Sequence, residues 1–298
     1  MSLQDRLEEV IQDARGTFGV YVKHLETGES AAINENRFFQ AASVFKIPIL
    51  AALYRDVKVG KVSLQERIRL EEVDLVNGSG IFKELIPGID VTIKNLATMM
   101  IIVSDNVGTD KILNIVGKEN VNQYMKEVGL NNTYIRFSCW ELLCSCVGLP
   151  PQRFSLELYN DINRRFKNGE IDYNSIVFQE SIENNVTTAF DMALLLEKIA
   201  NKQLISEKAC DEMFEILEKQ QFRNRIPYLL PATTVVAHKT GTVASVVNDA
   251  GIVQLPDNKG RFIITVFSIG NKTEAEGARK IAELSRAAYD HFLTKVTV

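Results

Sequence analysis

Predicted strands lie near both ends of this 298-residue chain, and the long segment between them is mostly helical in pattern. Near the N-terminus, TFGVYVKHL (17–25) and SAAIN (30–34) flank the turn ETGE and predict a β-hairpin. Beyond residue 230 three further strand patterns follow, ATTVVAHKTGT, VNDAGIVQL and RFIITVFSI. Because these strands come from both ends of the chain, we expect one antiparallel sheet built by both termini, an α/β fold of the α+β class.

The helical patterns of the middle segment predict a second domain inserted into this sheet. Apolar residues of TIKNLATMMIIV (92–103) recur at helical spacing, and VGTDKILNIVG and KENVNQYMKEVG each end on glycine. No linker rich in Pro, Gly and Ser divides the chain. We therefore expect a sheet domain of residues 1–40 and 205–298, a helical domain of residues 41–204, and an active site in the cleft between them.

The charge and hydropathy of the chain argue against several classes of function. The formal net charge is −4 and no run of Lys and Arg occurs, which argues against nucleic acid or an anionic membrane as the partner. No segment approaches the ~18 consecutive apolar residues of a membrane span. The N-terminal MSLQDRLEEVIQDARG predicts an amphipathic helix without an export signal. We expect a cytoplasmic monomer, or an exported protein if a leader was removed.

The four cysteines do not form a recognisable metal or disulfide pattern. They are Cys139, Cys144, Cys146 and Cys210. Ligand pairs at the spacing of zinc sites are missing, and three clustered cysteines make a poor disulfide framework. We expect free, mostly buried thiols, which favour a reducing compartment. The sequence implies no metal and no organic cofactor.

One serine and one lysine interrupt the apolar run AASVFKIPIL (41–50). Ser43 and Lys46 are its only polar side chains, one helical turn apart. A charge in apolar surroundings is costly unless it is paired. Because Ser43 enters a helix, its N–H lacks an intrahelical partner and can face an oxyanion, while a desolvated, neutral Lys46 can accept the hydroxyl proton. The pair predicts a nucleophile and its activator; the alternative is a capping serine beside a lysine that reaches solvent.

Two further short motifs follow in order, SDN (104–106) and KTG (239–241). An S-x-x-K match alone is expected roughly once per chain of this length, and a KTG match in on the order of one such chain in ten. Singly, SDN could mark the end of one helix and the start of the next, and KTG the end of a strand. All three in this order are a strong signal.

With these motifs the chain resembles the class A β-lactamases and their penicillin-binding relatives. The similarity includes GVYVKHLETGESAAINENRFFQAASVFKIPIL, LATMMIIVSDNVGTDKIL, VTTAFDM, VVAHKTGTV and NDAGIV, within residues 15–135 and 186–295. The resemblance implies a β-lactamase-like fold in which an all-helical domain is inserted into the sheet domain. It also implies a serine hydrolase that opens a β-lactam amide through an acyl-Ser43 intermediate.

The same resemblance assigns roles within the site. Catalytic roles are implied for Ser43, Lys46, Ser104 and Lys239. Substrate-binding roles are implied for Asn106, Thr240, Gly241 and Thr242. The Lys239 ammonium would contact the substrate carboxylate and the Ser104 hydroxyl, Ser104 would relay a proton to the leaving nitrogen, and the Thr242 N–H would be the second oxyanion donor. Asp105 is expected to order its own loop.

A serine–histidine–aspartate triad is the rival catalytic design. The chain has only three histidines, His24, His238 and His291. His238 directly precedes Lys239 on a predicted strand, so its side chain points to the opposite face. We expect all three histidines to be structural or surface residues.

The resemblance breaks in the segment 138–185. The family carries a glutamate after a tryptophan, in a loop beyond the SDN motif, where it aims the water that deacylates the enzyme. Here Trp140 and Glu141 stand at about the right distance but continue as LLCSC, without the family's asparagine. Glu141 is one candidate for this base, and a solvated surface carboxylate is the other interpretation. Without such a glutamate, Lys46 would serve both steps.

Two alternatives to β-lactam hydrolysis remain. The missing loop pattern favours a D-alanyl-D-alanine carboxypeptidase or an esterase on the same scaffold. A β-lactam-binding protein that stays acylated is the other alternative. In each case the partner is a small molecule, either a β-lactam or an acyl-D-Ala-D-Ala-like substrate.

Overall fold

The computed structural model describes residues 1–295, which form ten α-helices and nine strands. The helices are α1 (Leu3–Ile11), α2 (Lys46–Lys58), α3 (Ile93–Ile102), α4 (Asn106–Val116), α5 (Lys118–Glu127), α6 (Cys139–Cys146), α7 (Leu156–Lys167), α8 (Ala189–Ala200), α9 (Glu207–Glu218) and α10 (Glu274–Lys295). The strands are β1 (Thr17–His24), β2 (Ser30–Ile33), β3 (Phe39–Gln40), β4 (Arg67–Leu70), β5 (Ile89–Thr92), β6 (Val186–Thr187), β7 (Val236–Val243), β8 (Val246–Gln254) and β9 (Arg261–Ile269). No described helix is long and apolar enough to cross a membrane.

The main sheet has five strands in the order β2-β1-β9-β8-β7. Every neighbouring pair is antiparallel, and Val20 of β1 is paired with Ile33 on one side and Val266 on the other. The N-terminal hairpin therefore joins the C-terminal strands directly through the β1–β9 pair. This confirms the predicted antiparallel sheet built from both ends of the chain.

Helices cover both faces of this sheet, so the central strands β8 and β9 are buried along nearly their whole length. The N-terminal and C-terminal helices α1 and α10 pack together, and Leu7, Phe262 and Phe292 are fully buried in the core that they share with the sheet. On the opposite face α8 packs against β1, β8 and β9. The sheet is thus the middle layer between two groups of helices.

The helix that begins with Lys46 is the centre of the helical region. Ten of the thirteen residues of α2 are buried, including Ile47, Ile49 and Leu53. A helix that is apolar on all sides is expected to be surrounded by other elements, and α3, α4, α5 and α9 pack around this one. One continuous core joins these helices to sheet residues such as Phe267. The division into residues 1–40 with 205–298 and residues 41–204 therefore stays a prediction.

The segment 138–185, where the family pattern breaks, consists of short helices joined by loops. It contains α6, α7 and a single 3₁₀ turn at Ile176–Phe178. Serine caps begin both helices, because Ser138 accepts from the Glu141 N–H and Ser155 accepts from the Leu158 N–H. Helix α6, whose start is fixed by the Ser138 cap, borders the cleft described below.

A buried asparagine of the sheet holds the chain just before Ser43. The side chain of Asn248 donates from Nδ2 to the carbonyl oxygens of Gln40 and Ala41, at 2.8 and 3.2 Å. Its Oδ1 accepts from the Ser268 N–H at 3.0 Å, and Asn248 is fully buried. The Asn248 side chain thus helps to hold the residues before Ser43 against the sheet.

We predict that Asn248→Ala lowers the free energy of unfolding by roughly 2–5 kcal/mol, because it leaves several buried polar groups without partners. Chemical denaturation followed by circular dichroism measures the change. Asn114→Ala, at an exposed position of α4, is the matched control and should stay within about 0.5 kcal/mol of the parent protein. Equal stabilities of the two variants would contradict this role of Asn248.

Candidate active site

Ser43 lies in a short 3₁₀ helix, Ala42–Phe45, that leads directly into α2. Ala42 has a φ of +43°, a left-handed conformation that is uncommon for a residue with a side chain and is typical of functional turns. Ser43 lines a cleft of about 510 Å³. Among the described residues its backbone N–H has no hydrogen-bond acceptor, so it is free to donate to a bound group.

Lys46 is the first residue of α2 and is fully buried beneath this cleft. Its Nζ donates to the Ser104 carbonyl oxygen at 2.8 Å, to Ser104 Oγ at 3.0 Å and to Asn106 Oδ1 at 2.8 Å. Burial lowers the pKa of Lys46, and the nearby Cys139, Asp105 and Asp110 oppose that shift only in part. The described hydrogen bonds of this amine do not include one to Ser43 Oγ, so the predicted pair shares the site without a direct bond.

The SDN motif is the turn between α3 and α4. Ser104 has a φ of +56° and lines the cleft, and its hydroxyl accepts from Lys46 Nζ. As expected, Asp105 orders its own loop, because its carboxylate accepts from the N–H groups of Ile81, Phe82 and Gly108 at 2.6–2.9 Å. Asn106 reaches the cleft while its amide bonds Lys46 and the Asn77 carbonyl oxygen.

The KTG motif lies on β7, the edge strand of the sheet that borders the cleft. Thr240 and Thr242 line the cleft, whereas Lys239 is fully buried behind them. The expected bond from Lys239 to the Ser104 hydroxyl is not formed: Lys239 Nζ donates to the Thr240 carbonyl oxygen at 2.7 Å. Burial and the charge of Lys46 both lower the pKa of Lys239. The Thr240 carbonyl oxygen is thus the acceptor that satisfies this buried amine in place of the Ser104 hydroxyl.

Gly241 brings β7 against the backbone of the nucleophile. A Cβ atom at this position would lie 2.9 Å from the Ser43 nitrogen and 3.0 Å from the Ala41 carbonyl oxygen. These are backbone atoms, which cannot rotate out of the way as a side chain could. The missing side chain of Gly241 is therefore what lets the strand and the 3₁₀ turn meet.

Helix α6 supplies an apolar wall of the cleft, made by Cys139, Leu142 and Leu143. The buried carboxylate of Asp110 fixes the start of this helix by accepting from the N–H groups of Cys139 and Trp140 at 2.7 and 2.9 Å. Burial, with a smaller effect from Asp110, raises the pKa of the Cys139 thiol, which is therefore neutral at pH 7. The four cysteines are free and buried, as predicted.

Glu141, the candidate second base, faces away from Ser43. Its carboxylate accepts from the Ser138 N–H at 2.7 Å and is 2.8 Å from Lys118 Nζ. It lines a separate cavity of about 670 Å³ that shares no lining residue with the Ser43 cleft. Of the two interpretations given above, the structure agrees with the solvated carboxylate. The residues of α6 that reach the cleft are instead Cys139, Leu142 and Leu143, because the Asp110 contacts set the rotation of the helix.

None of the three histidines lines the Ser43 cleft in the part of the chain that the structure describes. His238 is fully buried and lies 3.0 Å from Asp249, and His24 and His291 are buried as well. Of the two expected roles, structural or surface, their burial agrees with the structural one. Within residues 1–295 no three side chains among His, Cys, Asp and Glu converge as metal ligands.

Three charged residues that line the cleft, Arg223, Arg225 and Glu274, belong to none of the sequence motifs. Arg225 is 2% exposed and donates from Nη1 to the Gly241 carbonyl oxygen at 2.8 Å, while its Nη2 bonds Thr242 Oγ1 and lies 3.0 Å from Glu274 Oε1. Arg225 and Glu274 line the cleft beside Thr242. Arg225 precedes β7 by eleven positions and Glu274 begins α10. Only the tertiary fold brings them together, so no spacing in the sequence could have identified them.

Comparison with known proteins identifies a family whose members resemble this chain in sequence. A sequence model described as the β-lactamase enzyme family matches residues 2–292. The chain is 24% identical to β-lactamase VEB-1 of Pseudomonas aeruginosa, over 97% of this chain and 90% of that one. It is also 24% identical to the extended-spectrum β-lactamase PER-1 of the same organism, over 99% and 89% of the two chains.

Solved structures show the same fold. A β-lactamase from Sphaerobacter thermophilus is 26% identical, with a TM-score of 0.79 over 97% of this chain and 96% of that one. PBP-A is likewise 26% identical, with a TM-score of 0.79 over 97% and 95% of the two chains. The likeness extends over nearly the whole of each chain, so it covers the sheet, the helices and the cleft between them.

We predict that Gly241→Ala slows covalent modification of Ser43 by roughly tenfold or more, because the added methyl displaces the backbone of the nucleophile. The rate of adduct formation with a β-lactam, followed by intact mass spectrometry, is the measurement. Gly28→Ala is the control, since its turn has a positive φ but open space around the new methyl. It should lose some stability and keep the parent rate. Equal rates in the two variants would show that β7 does not position Ser43.

Proposed function

Because this chain belongs to the β-lactamase enzyme family, we propose that it hydrolyses a β-lactam amide through an acyl intermediate on Ser43. The observation that carries the proposal is the placement of Ser43 in the cleft above a fully buried Lys46 that bonds Ser104 and Asn106. A hydroxyl nucleophile needs a nearby base, and a desolvated amine of lowered pKa is suited to that role.

In the acylation step the neutral Lys46 amine accepts the proton of the Ser43 hydroxyl. Ser43 Oγ bonds to the lactam carbonyl carbon, and the negative charge on the carbonyl oxygen is stabilised by the N–H groups of Ser43 and Thr242. The C–N bond then breaks, and the nitrogen takes a proton from the Ser104 hydroxyl. Lys46 returns that proton to Ser104 along their 3.0 Å hydrogen bond. The products of this step are an acyl-Ser43 ester and a neutral amine.

The other end of the cleft is suited to the carboxylate that accompanies most β-lactam rings. Arg225 presents a guanidinium beside the hydroxyl of Thr242, and Thr240 lies next to it on the same strand. Arginine and hydroxyl donors together are a common arrangement for carboxylate binding. Lys239, behind this wall, adds positive potential when it is protonated. We assign the substrate-binding role to this group together with Asn106 and Gly241.

Hydrolysis of the acyl-enzyme requires a base for the attacking water, and the cleft offers few. Among its described lining residues Glu274 is the one carboxylate, and it is paired with Arg225. The wall supplied by α6 presents a neutral thiol and two leucines. We therefore propose that Lys46 serves both steps and that deacylation is slower than acylation.

No contact among the described residues of the cleft favours the carboxypeptidase or esterase alternative, and the two Pseudomonas aeruginosa relatives named above are β-lactamases. The substrate is accordingly proposed to be a small β-lactam. A cytoplasmic location rests on the four free thiols. The monomeric state stays a prediction.

A chromogenic cephalosporin tests the proposal. We predict a burst of product, then slower steady turnover, with an acyl adduct on the protein in parallel intact mass spectra. Ser43→Ala should abolish both signals, a loss of roughly a thousandfold or more in turnover. Ser63→Ala, at an exposed position far from any motif, should behave like the parent. Turnover that survives in Ser43→Ala would overturn the assignment of the nucleophile.

A further inference from the structure

Glu274 places a carboxylate of the protein itself at the anion-binding end of the cleft. It is the first residue of α10, and its side chain is 55% exposed at the mouth of the cleft. Glu274 Oε1 lies 3.0 Å from Arg225 Nη2 and 3.5 Å from Thr242 Oγ1. These are the two donors proposed above to bind a substrate carboxylate.

Arg225 cannot easily turn to a different partner. Its side chain is 3% exposed, and Nη1 is held by the Gly241 and Asn248 carbonyl oxygens on β7 and β8. Its Nε is buried and, among the described residues, has no acceptor. The side of the guanidinium that a ligand can reach is therefore Nη2, where Glu274 already accepts a hydrogen bond.

Glu274 differs from Arg225 in its freedom to move. A side chain that is more than half exposed keeps much of its hydration and several rotamers, so the ion pair it forms is weak. A competing carboxylate can displace it at small cost. Arg225 is therefore a cation that is fixed in place, and Glu274 is an anion of the protein that a bound anion can displace.

We propose that Glu274 is a specificity-determining residue, whose carboxylate competes with the carboxylate of the substrate for Arg225 and Thr242. This inference rests on the proposed function, since it concerns the same cleft and the same reaction. It predicts the direction in which Glu274 changes the substrate specificity. The carboxylate of Glu274 weakens the preference of this cleft for anionic β-lactams over neutral ones of the same shape, and removing its charge strengthens that preference.

The test compares Glu274→Gln with the parent on two substrates, a chromogenic cephalosporin as the free acid and the same compound as its methyl ester. Glutamine keeps a hydrogen-bond acceptor for Arg225 and removes the negative charge. We expect the acylation rate at subsaturating substrate to rise three- to tenfold for the free acid, the size of a weak ion pair. The rate for the ester should stay within about twofold of the parent.

Glu276→Gln is the matched control, because it removes the same charge from the same helical turn but does not line the cleft. It should leave both substrates at the parent rates. An unchanged or slower reaction of Glu274→Gln with the free acid would overturn the proposal. Equal acceleration of the acid and the ester would also overturn it. A rate increase that does not depend on the charge of the substrate would come from a change in the shape of the cleft.

A binding measurement separates this proposal from the proposed function. Calorimetric affinities for the free acid and the ester are compared in Ser43→Ala chains with and without Glu274→Gln. If no adduct forms on the parent protein with either compound, the proposed reaction fails. Competition by Glu274 is then decided by the affinities alone: tighter binding of the free acid in the double variant supports it, and equal affinity overturns it.

Discussion

The Lys46 amine is fully buried, and its three hydrogen-bond acceptors, the carbonyl and hydroxyl oxygens of Ser104 and the amide oxygen of Asn106, are all uncharged. A cation in such surroundings loses much of its hydration without gaining a bonded anion, which favours the neutral amine. The neutral amine keeps two N–H donors, so Ser104 and Asn106 still hold it in place and one lone pair is left to accept a proton. The reactivity proposed for Ser43 depends on a Lys46 amine that is held in place and has a lowered pKa.

The fold supplies that environment from three directions. The apolar helix α2 carries Lys46 into the core, and the left-handed turn at Ser104 brings the SDN motif over it. The sheet closes the third side, where Gly241 touches the Ser43 backbone and Asn248 holds the two residues before the 3₁₀ turn. A backbone that is tied at several points can keep uncommon φ values at the site, because the surrounding contacts outweigh the local strain.

The sequence predicted the parts of the site that short-range patterns encode and missed the parts that packing decides. Hydrophobic periodicity and turn residues predicted the main sheet and helices α1 to α5, and local motifs predicted that Ser43, Ser104 and Thr240 would meet in one cleft. Rotation of α6 could not be predicted, because the buried Asp110 sets it from another helix, and so Cys139 rather than Glu141 faces Ser43. Arg225 and Glu274 were missed for the same reason, since the contact joins residues 49 positions apart in sequence.

The ionisation of Lys46 is the most direct test of the site's chemistry. Protein labelled with ¹³C at lysine Cε is titrated by NMR, and the resonance that disappears in Lys46→Arg identifies the residue. We predict a pKa for Lys46 below the ordinary lysine value of 10.5, as burial requires. An ordinary or raised pKa would mean that the amine stays protonated at neutral pH, and Lys46 would then not be the base that activates Ser43.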